Sequence, residues 1–254
     1  MRKFMFAAVA AFLSGTFALA AQAAGEQDPA PSRSWSFSGP FGTYDRAAAQ
    51  RGFQVYKEVC AACHSMKYLA YRNLRDLGFS EAEVKAIAAQ YEVTDGPNDD
   101  GEMFQRPAVP ADRFKSPFAN DKAARAANGG ALPPDLSLIA KARPNGANYL
   151  HALLSGYREP PADFAVPEGL HYNPYFAGKR IAMAPPLNAD AVTYADGTQA
   201  SIDQMAHDVT TFMMWAAEPK LEDRHSLGFK VILFLIVLTG LFYAVKRKVW
   251  ADVH

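Results

Sequence analysis

The chain has 254 residues, half of them hydrophobic and a fifth charged, which excludes a disordered polypeptide and leaves room for one large domain or two small ones. Its 26 basic and 26 acidic residues cancel, but residues 25–226 carry 20 Lys and Arg against 25 Asp and Glu, a net charge of about −5. That acidic stretch is a poor candidate for nucleic acid and a good one for a basic protein partner.

Residues 1–23 read as a secretory signal peptide. Arg2 and Lys3 supply the positive start, Phe4 to Leu19 are apolar apart from small residues, and Ala21-Gln22-Ala23 gives the small-x-small cleavage pattern. A first transmembrane helix is the alternative, disfavoured because the apolar stretch is short, Ala-rich and runs into the cleavage site. The mature chain is expected to start at Ala24 or nearby, so residues 24–226 are an exported domain, periplasmic in a bacterium.

Tyr44 to Val59 reads as a helix, in which Gly52 either permits close contact with another helix or is merely tolerated. It enters Cys60-Ala61-Ala62-Cys63-His64, the attachment signature of a c-type haem. Two thiols at this spacing each add to one vinyl group, and the next residue then lies under the iron as proximal ligand. A free pair in an exported protein would become a disulfide, a thioredoxin-like motif would not need His64, and zinc would need further ligands. One copy implies one covalently bound haem c.

Farther on, Ser80-Glu81-Ala82-Glu83 is a capping box that starts a helix through Gln90. Glu92 to Glu102 carries five acidic side chains, no basic ones and two glycines, and reads as a loop or insertion. Asp121 to Ala127 looks helical, Leu132-Pro133-Pro134 ends what precedes it, and Ala147 to Leu154 has the spacing of another short helix. Glu159 to Pro174, with four prolines, reads as loop.

The sixth iron ligand must come from the remaining His and Met residues. Met66 is too close to His64 for the chain to wrap the ring, Met103 lies in the acidic stretch, and Met205, Met213 and Met214 belong to a helix where packing is the expected role. Met183 stands in Arg180-Ile181-Ala182-Met183-Ala184-Pro185-Pro186, where the prolines exclude helix and can hold a thioether at one position. On pattern alone Met183 leads, with His171 and His151 as competitors. A thioether favours ferrous iron, and a six-coordinate iron suits electron transfer rather than oxygen or peroxide chemistry.

Ser201-Ile202-Asp203-Gln204 is a second capping box, followed by apolar residues at helical spacing until Pro219. A short charged linker, Lys220 to His225, is expected before the apolar run Leu227 to Val245. At 1.5 Å per residue that run just spans a hydrocarbon core of roughly 30 Å. Lys230 can snorkel, and Tyr243 and Trp250 fit the aromatic belts. Lys246-Arg247-Lys248 follow, so residues 227–245 read as a transmembrane helix and 246–254 as a cytoplasmic tail. The expected fold is mostly α, with no alternating apolar pattern strong enough for a sheet.

In combination, Val59 to Met66, Ala131-Leu132-Pro133-Pro134-Asp135-Leu136-Ser137, Gly156-Tyr157-Arg158-Glu159-Pro160-Pro161, Met183-Ala184-Pro185-Pro186 and Trp215-Ala216-Ala217-Glu218-Pro219 resemble the cytochrome c1 family of the quinol–cytochrome c oxidoreductase (cytochrome bc1) complex. The resemblance implies a cytochrome c-like helical haem domain enlarged by long loops, with His64 and Met183 as axial ligands. It implies that Arg143 and Tyr149 contact the haem propionates, where guanidinium and phenol donors satisfy buried carboxylates. It further implies cytochrome b and a Rieske iron–sulfur protein as partners in the membrane and a soluble basic cytochrome c as acceptor. The chain itself would catalyse no bond chemistry; the complex oxidises quinol. A stand-alone anchored cytochrome shuttle, or the haem subunit of a dehydrogenase, is the alternative. The sequence departs from the family in two places. No cysteines remain for the extra disulfide of some bacterial members, and Asn128-Gly129-Gly130 has a glycine where a second asparagine is common.

Overall fold

A computed structural model describes residues 26–252; the expected signal peptide lies outside the described residues. The α-helices are α1 (Arg46–Glu58), α2 (Glu81–Ala88), α3 (Asp121–Ala127), α4 (Gly146–Ser155), α5 (Ile202–Ala217) and α6 (Leu221–Val249). Short 3-10 turns cover Cys60–Ala62, Tyr71–Leu77 and Ala177–Lys179. The expectation of a mostly helical fold holds.

Helix starts follow the local chemistry. Asp45 caps α1 by accepting from the Ala48 amide, and Ser80 and Glu83 form the full reciprocal box at α2. The box expected at α5 is only half made. Ser201 Oγ accepts from the Gln204 amide at 3.2 Å, but the Gln204 side chain donates to Asp208 Oδ1 at 3.0 Å instead of reaching back.

The frame of the domain is the crossing of α1 and α5, and Gly52 makes it possible. A Cβ placed there would lie 2.0 Å from the Asp208 carbonyl oxygen and 2.8 Å from Phe212 Cβ. Close backbone approach, not tolerance, is therefore why position 52 is glycine. Around the crossing Phe53 and Tyr56 pack tilted against Phe212, Phe212 stacks on Trp215, and Tyr71 and Phe114 extend the layer with ring centroids 4.9 Å apart. Such tilted and offset aromatic pairs add to the burial that holds the domain together. Met66, Met205 and Met213 are buried in this core, whereas Met103 is exposed.

Two small antiparallel hairpins correct the sheet-free expectation. Strand β1 (Glu92–Asp95) lies in the stretch read as acidic loop and pairs with β2 (Phe104–Pro107) just beyond it. Arg106 explains it, since its guanidinium pairs with both Asp95 and Asp112 and holds both carboxyls below their ordinary range. The second hairpin joins β3 (His171–Tyr172) to β4 (Arg180–Ile181), with Arg180 4.6 Å over the Phe164 ring.

The expected linker before the membrane is also absent as a linker. Lys220 is the N-cap residue, and residues 221–225 form the first turn of α6, which runs unbroken for 29 residues. Among the described residues it is the one helix long and apolar enough to cross a membrane. Its polar first turn grips the domain: Glu222 accepts from both Arg46 guanidinium nitrogens at 3.0 and 2.7 Å and from the Tyr44 amide at 2.7 Å.

Candidate functional site

Helix α1 delivers the two thiols. It ends at Glu58, and the chain tightens into the 3-10 turn in which the amides of Cys63 and His64 both donate to the Cys60 carbonyl, at 3.1 and 2.9 Å. Cys60 points into the core and Cys63 outward. Burial pushes the Cys60 thiol up to about 12. The two sulfurs thus present one buried and one outer attachment point from a single turn.

His64 is oriented from a distant segment. Its Nδ1–H donates to the Pro134 carbonyl at 2.8 Å, which fixes the tautomer and leaves Nε2 free with its lone pair. Burial holds the imidazole below its ordinary pKa, so it is neutral, as a metal ligand must be. Asp135 then stitches the two segments together. Its carboxylate accepts from Ser65 Oγ and the Lys67 amide, both at 2.8 Å, and from the Ser137 amide at 2.9 Å. Burial alone would raise this carboxyl, but those hydrogen bonds outweigh it and keep it ionised. The Leu136 amide adds a bond to the Ser65 carbonyl at 2.8 Å.

From Asp135 the chain passes through buried Leu136, Ile139 and Ala140 to Arg143 and α4. Tyr149 on α4 is buried, which pushes its phenol up in pKa, and the neighbouring Arg143 guanidinium offsets part of that shift. Arg143 is exposed and donates to its neighbour's carbonyl, Ala142 O, at 3.2 Å. The structure therefore brings Arg143 and Tyr149 together. Just past α4, Tyr157 is half-buried, and its hydroxyl donates to the Met183 carbonyl at 3.0 Å. Met183 is partly buried against the main core, in the non-helical segment after β4.

The two competing histidines have other surroundings. His151 is 4 % exposed, its Nε2 lies 3.1 Å from Asp203 Oδ1, and Trp35 meets it edge-on, so it is occupied within the core. His171 sits in β3 and lines a cleft of about 630 Å³ with Leu154, Tyr157, Pro185 and Leu187. The lining of that cleft includes none of Met183, Cys60, Cys63 or His64. Tyr157 and Asp135 are the contributors that residue-type reasoning left without a role. Both stood in quoted motifs, but only the hydrogen bonds give them a task.

Two thiols on one turn, a neutral imidazole with one free nitrogen, a thioether on a proline-locked segment and an Arg–Tyr pair form a donor set that fits a covalently attached haem. Comparison with known proteins agrees. A protein named cytochrome c1 in Rhodospirillum rubrum is 54% identical over 235 residues, covering 86% of each chain. A mitochondrial cytochrome c1 heme protein of Arabidopsis thaliana is 53% identical over 223 residues, covering 87% of this chain and 72% of the relative. A protein named cytochrome b/c1 in Bradyrhizobium diazoefficiens is 51% identical over 249 residues, and the present chain spans 36% of that relative's length. The model of the Cytochrome C1 family matches residues 35–253, from Trp35 in the core through the attachment turn to the end of the anchor, and the chain belongs to that family.

Proposed function

We propose that the chain is the haem c electron-transfer subunit of a cytochrome bc1 complex, taking one electron from a Rieske iron–sulfur protein and passing it to a soluble basic cytochrome c. The observation that carries this reading is the attachment turn, Cys60 to His64, with His64 held through Nδ1 by Pro134 in a chain of the Cytochrome C1 family. A bound haem supplies reversible one-electron chemistry at its iron.

The chain's own residues do the rest. Cys60 and Cys63 would hold the haem through their thiols, His64 and Met183 would supply its imidazole and thioether ligands, and Arg143 with Tyr149 would supply donors to its propionates. With both of those ligands supplied by the protein, the bound haem would carry electrons rather than bind oxygen or peroxide. Tyr157 and Asp135 keep the two donors in place by bonding their backbone or neighbouring groups.

We assign residues 24–226 to the exported, periplasmic side and residues 246–254 to the cytoplasm. The run Lys246-Arg247-Lys248 directly after the apolar span supports this orientation. The test is purification of the native complex in mild detergent, with subunit identification and a redox-difference spectrum. The expected result is a c-type haem signal on this chain co-purifying with a cytochrome b and a Rieske protein. Recovery of the chain alone, fully haem-loaded, would instead point to a stand-alone shuttle.

A further inference from the structure

We propose that the loop Ser38–Thr43, led by Phe41, is a second membrane contact: it seats in the headgroup boundary of the bilayer beside the first apolar turn of α6. Phe41 is 72% exposed, the most exposed large apolar side chain among the described residues. Its ring meets Phe229 edge-on with centroids 5.9 Å apart. Phe229 is the third residue of the apolar run that begins at Leu227, and it too is exposed. A ring packed beside Phe229 shares its depth to within about one ring spacing. Phe41 then lies at the level where the span enters the bilayer, not in bulk water.

The loop suits that position. Ser38-Gly39-Pro40-Phe41-Gly42-Thr43 carries no charge, so contact with the headgroup boundary desolvates no ion. Its shape is fixed by the core beneath it. Gly42 donates to the Gly39 carbonyl at 3.3 Å, Thr43 donates to Ser36 at 3.0 Å, and a Cβ on Gly42 would lie 2.3 Å from the Phe37 carbonyl carbon. Phe37 and Tyr44 on either side are buried and face each other at 5.6 Å. Phe41 is therefore presented by a rigid turn.

That turn is tied to α6 as well. His225 Nδ1–H donates to the Gly42 carbonyl at 3.1 Å, and Glu222 grips Tyr44 and Arg46. The anchor leaves the domain at a fixed angle with Phe41 alongside. Two contacts, the span and the loop, set the tilt of the domain and the height of the attachment turn above the membrane. The occupant is lipid because the exposed surface is one ring continuous with the span, presented by a loop of small uncharged residues.

The inference rests on reading α6 as membrane-spanning, and the test separates the two. The purified complex is reconstituted in phosphatidylcholine vesicles with a nitroxide on Phe41→Cys, on Ile236→Cys at mid-span, or on Asp99→Cys in the β1–β2 turn, against the unsubstituted complex as background. Power saturation with oxygen and with a nickel chelate reads immersion. The expected result is oxygen preference at 41, weaker than at 236, and nickel preference at 99. Nickel preference at 41 with oxygen preference kept at 236 overturns the inference. A label at 41 shielded from both reagents overturns it in favour of a protein neighbour. Nickel preference at 236 removes the membrane-spanning reading and the inference with it.

Discussion

Tyr157 and Pro134 act on the two axial candidates through the backbone, one holding the Met183 carbonyl and the other receiving the His64 Nδ1 proton. If Met183 is the sixth ligand, Met183→Leu removes a soft donor that stabilises the ferrous state. The potential should fall by on the order of 0.1 V or more, and the reduced protein should bind carbon monoxide. An unchanged titration and no carbon monoxide binding would move the assignment to His171 or another residue. Tyr157→Phe tests the support alone. It deletes one hydrogen bond, worth about 1 kcal/mol, so the ligand should stay but exchange faster. Carbon monoxide binding to the reduced protein should be faster than in the parent and slower than in Met183→Leu. The attachment turn was legible because its chemistry is local, five residues in a row. The supports were not, since Tyr157 lies 26 residues from Met183 and Pro134 lies 70 from His64. A carbonyl acceptor, moreover, leaves no mark in a sequence.

Among the elements, the crossing of α1 and α5 is the frame of the domain. Gly52→Ala would put a methyl 2.0 Å from the Asp208 carbonyl, on backbone that cannot swing away. The helices must separate, costing about 3 kcal/mol by the usual penalty for overpacking, and thermal melting of the detergent-solubilised chain should show a clear drop. Beside the same contact, the wholly buried Asp208 carboxylate accepts from Arg51 at 2.8 and 3.1 Å, and Arg51 reaches Asp196 at 2.9 Å. Burial alone would raise the Asp208 carboxyl, but hydrogen bonds from His207, Arg51 and Gln204 hold it below its ordinary value. A carboxyl held low binds fewer protons folded than unfolded. Its contribution is complete above about pH 4 and disappears as pH falls through the folded value. The melting temperature should therefore decline steeply below about pH 4, and Asp208→Asn, less stable throughout, should show a shallower acid limb. The helices were readable because caps and apolar spacing are written within a few residues. The β1–β2 hairpin was not, because both strands are largely exposed and Arg106, the cation that neutralises Asp95, lies beyond the acidic run. The polar first turn of α6 looked like a linker because its helical state depends on Arg46 and Tyr44, about 176 residues earlier.

At the scale of the whole molecule, charge and anchoring answer to different parts of the chain. Basic residues at the two ends of the chain, Arg2, Lys3, Lys230 and Lys246-Arg247-Lys248, offset the acidic residues of the domain in the total, so neutrality hides a domain of about −5. The anchor grip removes one freedom that a flexible linker would have left. With Glu222 and His225 holding α6 to the domain, the attachment turn would not search for a partner by swinging. On the proposed function, a mobile acceptor would have to be brought to a nearly fixed target, and long-range attraction is the available means. An acidic domain would raise the local concentration of a basic cytochrome c and orient it before contact, an effect on the association rate more than on the final affinity. Raising the ionic strength from about 0.01 M to about 0.15 M shortens the screening length from roughly 30 Å to roughly 8 Å. The bimolecular rate of electron transfer to a basic cytochrome c, followed by stopped flow, should drop about tenfold or more over that range, while the rate within the bound pair changes little. A bimolecular rate that stayed flat with salt would sink the steering argument and leave the acidic surface as a matter of solubility.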